Sequence, residues 1–244
     1  MEVTGIIGGS GLDTLEGLAI SRREPVDTPY GKPSGALTLG TYAGKQVVFV
    51  ARHGDQHSVL PHQVNYCANL AAMKQAGATR VIAVCAVGGI SNDMSPGTIC
   101  IPDQLIDYTY SRRHTIHEDA SDFAAHIDFT EPYCESLRKR LVTAADQAGI
   151  RAIARGTYGA TQGPRLETAA EINRMDRDGC HIVGMTGMPE ASIARELELC
   201  YAVIALSVNY AAGREAGPIE MQAIEEIMTS GMGQVRSVLA TVLA

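Results

Sequence analysis

The sequence predicts an α/β fold: one domain over residues 1–244 with a central mixed, largely parallel twisted sheet surrounded by helices. Three observations support this. Short apolar runs of strand length alternate with amphipathic stretches of helical length, as in a parallel sheet buried on both faces. The chain has 244 residues, 45% of them hydrophobic, which is ample for a large core. No internal repeat or low-complexity linker divides it.

Taken in order, the runs Val3 to Gly8, Gln46 to Ala51, Arg80 to Val87, Gly97 to Ile101, Ile153 to Ala160, His181 to Met185 and Ala202 to Val208 read as strands. Pro61 opens a helix in which Val64, Cys67, Ala68, Ala71 and Ala72 recur at helical spacing and Gly77 follows the end. Further helices are expected at Glu131 to Ala148, Thr168 to Asp178, Pro189 to Leu197 and Ile219 to Val242. The weakly patterned stretch 102–130 is too long for a mere connector, and loops of that length are usually functional.

The net charge of −7 argues against nucleic acid or an anionic membrane as partner, since no basic stripe is present. Without a secretory leader pattern or a run of about 18 apolar residues, the expected location is the cytoplasm. Six cysteines lie scattered without a CxxC pair (Cys67, Cys85, Cys100, Cys134, Cys180 and Cys200), so buried reduced thiols are expected rather than disulfides or zinc.

Several strand ends carry groups suited to an anion. Gly8-Gly9-Ser10-Gly11 lets the backbone close around a phosphate while Ser10 offers a hydroxyl; alone, such a cluster is more often only a turn. Arg52 and His53 follow the Gln46 strand, where open α/β sheets place ligands, and their side chains suit phosphate. A surface role is the plain alternative. His53 and His57 have a spacing that could suggest zinc, but Gly54 disfavours the required helix, and no metal is expected. Cys85, Ala86, Gly88 and Gly89 end another strand and permit close approach of a ligand, or form a simple turn. Thr186 can donate to an anion, and Met185 offers a soft apolar face to a sugar, or belongs to the core. Leu166-Glu167 and Asn209 lie at strand mouths; a buried carboxylate and a buried amide there can read a ring with a carbonyl beside an N–H, as on a 6-oxopurine. Otherwise Asn209 is a turn residue.

Across nearly its whole length the sequence resembles the trimeric purine nucleoside phosphorylase and methylthioadenosine phosphorylase family, through IIGGSGLD, ARHGDQHSVLPHQVNYCANL, GPRLETAAE, GMTGMPEASIARE and the strand ending at Asn209. The resemblance implies a nucleoside phosphorylase fold, phosphate bound by Ser10, Arg52, His53, Thr186 and the Cys85-Ala86 segment, and ribose packed on Met185. Cys85 departs from the threonine of the methylthioadenosine enzymes. Those adenine-specific relatives have an acid matching Asn209, a second acid matching Ala211 and a serine matching Glu167; the Glu167 and Asn209 pair is instead similar to that of 6-oxopurine enzymes. Human-type inosine enzymes place a histidine at the 5′-hydroxyl, whereas the last histidine here is His181, and Ile219, Met221 and Ile224 match apolar positions. These three residues are otherwise ordinary helix core. His126 matches a residue supplied to the neighbouring subunit's pocket, implying a homotrimer, or is a solvent-exposed loop histidine.

The expected reaction is phosphorolysis of methylthioinosine to hypoxanthine and 5-methylthioribose 1-phosphate, with inorganic phosphate as co-substrate and no cofactor. Phosphorolysis of methylthioadenosine or of inosine and guanosine is the alternative. A hydrolytic nucleosidase leaves the anion groups without a task, and a non-catalytic nucleoside sensor keeps the pocket without turnover.

Overall fold

In the computed structural model, which describes residues 2–117 and 126–244, three long parallel strands divide the core into two faces. These are β1 (Val3–Gly8), β5 (Ala78–Gly89) and β11 (Cys200–Tyr210), and β5 lies between the other two. Successive side chains point to opposite faces of a strand. Thus Ile7, Val81, Ala83, Cys85, Tyr201 and Val203 pack on one side, and Ile6, Ile82, Val84, Ala202 and Ile204 on the other. Both faces are covered, which is why these runs are continuously apolar in the sequence.

The remaining strands are β2 (Ala19–Glu24), β3 (Leu37–Tyr42), β4 (Lys45–Ala51), β6 (Ile99–Cys100), β7 (Gln104–Asp107), β8 (Ala152–Ile153), β9 (Thr157–Ala160) and β10 (Ile182–Gly184). One edge follows the order β2-β3-β4-β1-β5, while the far end of β5 pairs antiparallel with β10, which continues to β9 and β7. β11 carries β6 and then β8. The sheet is mixed and largely parallel, as expected.

Helices α1 (Tyr66–Gln75) and α4 (Gly187–Glu196) cover one face; α2 (Glu135–Gln147) and α5 (Met221–Leu243) cover the other. The fifth, α3 (Ala169–Arg177), packs Ile172 and Met175 against Val183 and Ala211. In α5 the residues Met232, Val235, Val238, Leu239 and Val242 form the buried stripe, while the first two turns stay largely exposed. Those first turns overhang the C-terminal ends of β1, β5 and β11.

Several expectations need correction. The helix from Pro61 is a single 3-10 turn, Pro61–Gln63, followed by α1, whose N-cap Asn65 accepts from the Ala68 N–H at 3.0 Å. The run Ile153 to Ala160 is broken into β8 and β9 because Asp103 Oδ1 accepts from the Gly156 N–H at 2.9 Å, diverting that donor from the ladder. β2, β3 and β7 were not expected: β2 is an exposed edge strand of mostly polar residues, and β7 lies inside the weakly patterned stretch. Within that stretch, residues 118–125 lie outside the described residues. Nor are all six cysteines reduced. Cys134 and Cys200 are joined in a disulfide, their Cα atoms 5.1 Å apart, because the topology sets the start of α2 beside the start of β11. The other four form no disulfide and are buried.

Candidate active site

The ends of the parallel strands converge on a cavity of about 710 Å³ roofed by the first turns of α5. Its wall includes Ser10, Arg52, His53, Cys85, Ala86, Leu166, Glu167, Met185, Thr186, Asn209, Ile219, Met221 and Ile224. Residues distant in sequence are therefore brought to one place, as open α/β sheets do outside the carboxyl ends of their strands.

At the floor, Arg52 is 1% exposed and is held from several sides. Its Nε donates to Glu190 Oε2 at 2.7 Å, Nη2 to Glu190 Oε1 at 2.8 Å and Nη1 to the Val84 carbonyl at 2.9 Å. Nη2 also lies 3.8 Å from Cys85 Sγ. The bidentate edge expected to grip an oxyanion is thus committed to Glu190, and of the five N–H donors one is left for a ligand. Burial works against the Arg52 cation, but the Glu190 carboxylate overrides it and holds the guanidinium well above its usual pKa. Tyr201 donates to the same carboxylate at 2.8 Å. Gly9 makes this packing possible: a Cβ there would lie 2.4 Å from the Val84 carbonyl and 2.8 Å from Arg52 Nη1.

His53 is buried, and burial followed by the Arg52 charge pulls its pKa down to about 4. The ring is therefore neutral near pH 7. Its Nδ1 lies 2.8 Å from the Val59 carbonyl, which places the single proton on Nδ1 and leaves Nε2 as an acceptor. Ser10 is half-buried and reached by His57, whose Nε2 is 3.4 Å from its Oγ and whose Nδ1 is 3.0 Å from Asp13 Oδ1. Thr186 is the N-cap of α4 and makes no capping bond with its side chain, so its hydroxyl is not spent on the helix. It meets Cys85 Sγ at 3.5 Å, and burial pushes the Cys85 thiol above its usual pKa, keeping it an S–H.

Glu167 and Asn209 stand on the upper wall, half-buried rather than fully buried as expected. Thr161 donates to Glu167 Oε1 at 2.6 Å. Asn209 Nδ2 donates to the Tyr210 carbonyl at 2.7 Å, leaving its second N–H and Oδ1 for a ligand. The roof is mostly apolar, with Ile219, Met221, Ile224 and Met228, and Glu225 and Thr229 also line it. Met221 is 62% exposed at the mouth, so it is not helix core. Leu166 is an exposed part of the rim.

Two expected site residues are not on this wall. Ala211 is buried against β5, its N–H donating to the Gly89 carbonyl at 2.8 Å, and lines an adjoining cavity of about 550 Å³; Ala212 faces the main one. His126 is exposed and does not line its own chain's cavity. Asp13, Thr161 and Glu190 were not singled out in the sequence, where His57 was weighed only as a metal ligand. Of those three, only Glu190 left a trace, as a lone acid in an apolar strand-to-helix run that buries it completely. Among the described residues, no group of three His, Cys, Asp or Glu is placed to hold a metal ion.

A family model for the phosphorylase superfamily matches residues 3–244. The chain belongs to the phosphorylase superfamily. It is 55% identical over 244 residues to a probable S-methyl-5′-thioinosine phosphorylase of Pseudomonas syringae pv. tomato, covering 100% of this chain and 99% of that one. It is 45% identical over 228 residues to a 6-oxopurine nucleoside phosphorylase of Pyrococcus furiosus, covering 91% and 85%. Among solved structures, the methylthioadenosine phosphorylase of Schistosoma mansoni in complex with adenine superposes with a TM-score of 0.94 at 30% identity, covering 100% of this chain and 91% of that one. The protein is an enzyme of the purine nucleoside phosphorylase type, a pentosyltransferase acting on a nucleoside and phosphate.

Proposed function

We propose that this phosphorylase cleaves S-methyl-5′-thioinosine with inorganic phosphate, giving hypoxanthine and 5-methylthioribose 1-phosphate. The observation that carries this reading is that Glu167 and Asn209 share one cavity with both the anion floor and an apolar roof. A hypoxanthine ring has an N1–H for the Glu167 carboxylate and an O6 for the free N–H of Asn209, whose Oδ1 then accepts from a protonated N7. Several relatives are named as probable phosphorylases of the same substrate, and the Pyrococcus furiosus relative as one for 6-oxopurine nucleosides, which supports this reading. Methylthioadenosine, inosine and guanosine are the related substrates that a broader specificity would admit.

Phosphate lies on the floor, accepting from Ser10, the Cys85-Ala86 segment, Thr186 and the remaining Arg52 N–H, and donating its own O–H to the acceptor Nε2 of His53. One of its oxygens attacks C1′ as the bond to N9 breaks, and the electron pair of that bond leaves with the purine. As that bond breaks, N7 takes up a proton from solvent water, and Asn209 Oδ1 lowers the barrier by accepting from the N7–H so formed, while the phosphate stabilises cationic character at C1′. Met185 lies under the ribose, and Ile219, Met221 and Ile224 surround the thioether, which prefers such walls to water. No metal or organic cofactor takes part. The reading extends to a cytoplasmic homotrimer in which His126 reaches a neighbouring site; its exposure away from its own cavity supports this.

The test is product analysis with methylthioinosine in phosphate-containing and phosphate-free buffer. Hypoxanthine should appear with phosphate alone, accompanied by a sugar phosphate. Undiminished hypoxanthine release without phosphate would point to a hydrolase instead.

A further inference from the structure

Thr161 follows the end of β9, is buried, and is gripped on three sides. Its N–H donates to the Gly184 carbonyl at 2.8 Å, and its carbonyl accepts from Arg112 Nη2 at 3.1 Å. The same guanidinium donates to the carbonyls of Gln162, Met185 and Met188 at 2.7, 2.8 and 2.6 Å, tying Thr161 to the sugar floor. The Thr161 hydroxyl has one proton and two nearby acceptors, Glu167 Oε1 at 2.6 Å and the Gly184 carbonyl at 3.3 Å. A separation that short to a carboxylate is characteristic of a charge-assisted bond, so the proton goes to Glu167. Glu167 is half-exposed with a long flexible side chain, which loses rotamer entropy when its carboxylate is fixed.

Resting on the reading of Glu167 as the base acceptor, we infer that Thr161 is a specificity-determining positioning residue. Its hydroxyl holds one oxygen of Glu167 and leaves the other as a fixed acceptor for the N1–H of a 6-oxopurine. A 6-aminopurine presents a lone pair at N1, so the fixed oxygen meets another acceptor. Without the tether, the carboxylate turns away from that clash and the discrimination falls. Thr161 does not line the cavity, so it acts through Glu167.

The experiment compares kcat/KM for methylthioinosine and methylthioadenosine in native protein, Thr161→Val, Thr161→Ser and Glu167→Gln, together with KM for phosphate. Thr161→Val, which keeps the volume, should lower the ratio by about tenfold, the scale of one lost hydrogen bond to a charged group, mostly through nucleoside KM. Its phosphate KM should stay within about twofold, and Thr161→Ser should keep the native ratio on the same argument. If Thr161→Val leaves the ratio unchanged while Glu167→Gln collapses it, the inference fails and the reading of Glu167 stands. Should Glu167→Gln leave the ratio unchanged, the reading itself falls and the inference with it. A rise in phosphate KM as large as that for nucleoside, unrelieved in Thr161→Ser, would make the role purely structural and overturn the proposal. Where Thr161→Val does not fold, Thr161→Ala replaces it with the same outcomes.

Discussion

Replacing Arg52 by methionine should damage stability before it is judged as a change in phosphate binding. Arg52 and Glu190 each have side chains 1% exposed, joined by two hydrogen bonds of 2.7 and 2.8 Å. Arg52→Met keeps the apolar stem but leaves the carboxylate buried with only the Tyr201 hydroxyl as a neutral partner. Breaking a buried pair from one side costs about 3–5 kcal/mol, because the surviving charge is uncompensated. For a domain of this size each kcal/mol moves Tm by about 2–4 °C, so a drop of about 6–20 °C is expected. Glu190→Gln keeps the shape but sets an N–H against the guanidinium and should cost about as much. The double variant Arg52→Met/Glu190→Leu should recover most of the loss, since an apolar replacement of a buried pair is often neutral. Thermal unfolding of native, Arg52→Met, Glu190→Leu and the double variant gives the full cycle, with Glu190→Gln measured beside it and KM for phosphate in each. In Glu190→Gln the cavity gains an unmatched positive charge, so phosphate KM should fall even as stability does. Single variants within about 1 kcal/mol of native, or additive effects in the double, would refute the coupling.

His53 makes stability sensitive to acid. The unfolded ring binds a proton near pH 6.5 and the folded one only at about 4, so stability is lost as pH falls from about 6.5 towards 4, by on the order of 3 kcal/mol. Denaturant titrations at pH 7.5 and 4.5 should show this, and His53→Gln should flatten the difference. Ile224→Asn places an amide on the apolar roof and should lower kcat/KM for methylthioinosine relative to inosine by about tenfold, the scale of burying a mispaired polar group; steady-state kinetics on both nucleosides decides it. For assembly, sedimentation-coupled assays should find activity with the trimer, and His126→Ala should raise nucleoside KM at unchanged Tm. A fully active monomer would contradict the shared site.

The central strands were legible because they are buried on both faces: β1 was read to the residue, and β4, β5 and β11 to within two residues at each end. Polar β2, the short β7 and the Asp103 contact that splits β8 from β9 gave no such signal, since tertiary contacts rather than period determine them. Within the site, motif residues at strand ends gathered as expected. What stayed hidden is pairing between distant segments: Arg52 with Glu190, 138 positions apart; Asp13 with His57, 44 apart; Cys134 with Cys200, 66 apart. A spacing of residue types cannot reveal that a guanidinium offered to phosphate is already held by a carboxylate. Ala211 and Ala212 differ by one position at the end of β11, where the strand's alternation has ceased to decide which side chain faces the cavity.

Base choice provides the most direct measurement: kcat/KM for methylthioinosine over methylthioadenosine, in native protein and in Asn209→Asp. With O6 and N7–H both satisfied by one amide, hypoxanthine loses nothing. Adenine leaves one contact mispaired whichever way the amide is turned, at a cost of about 1–3 kcal/mol, or roughly 5- to 150-fold. The native ratio should lie well above one in favour of methylthioinosine, and Asn209→Asp, which can accept from a 6-amino group, should move it towards methylthioadenosine. A native enzyme that prefers methylthioadenosine, or a ratio unmoved by Asn209→Asp, would contradict the assignment of Asn209 as the reader of position 6.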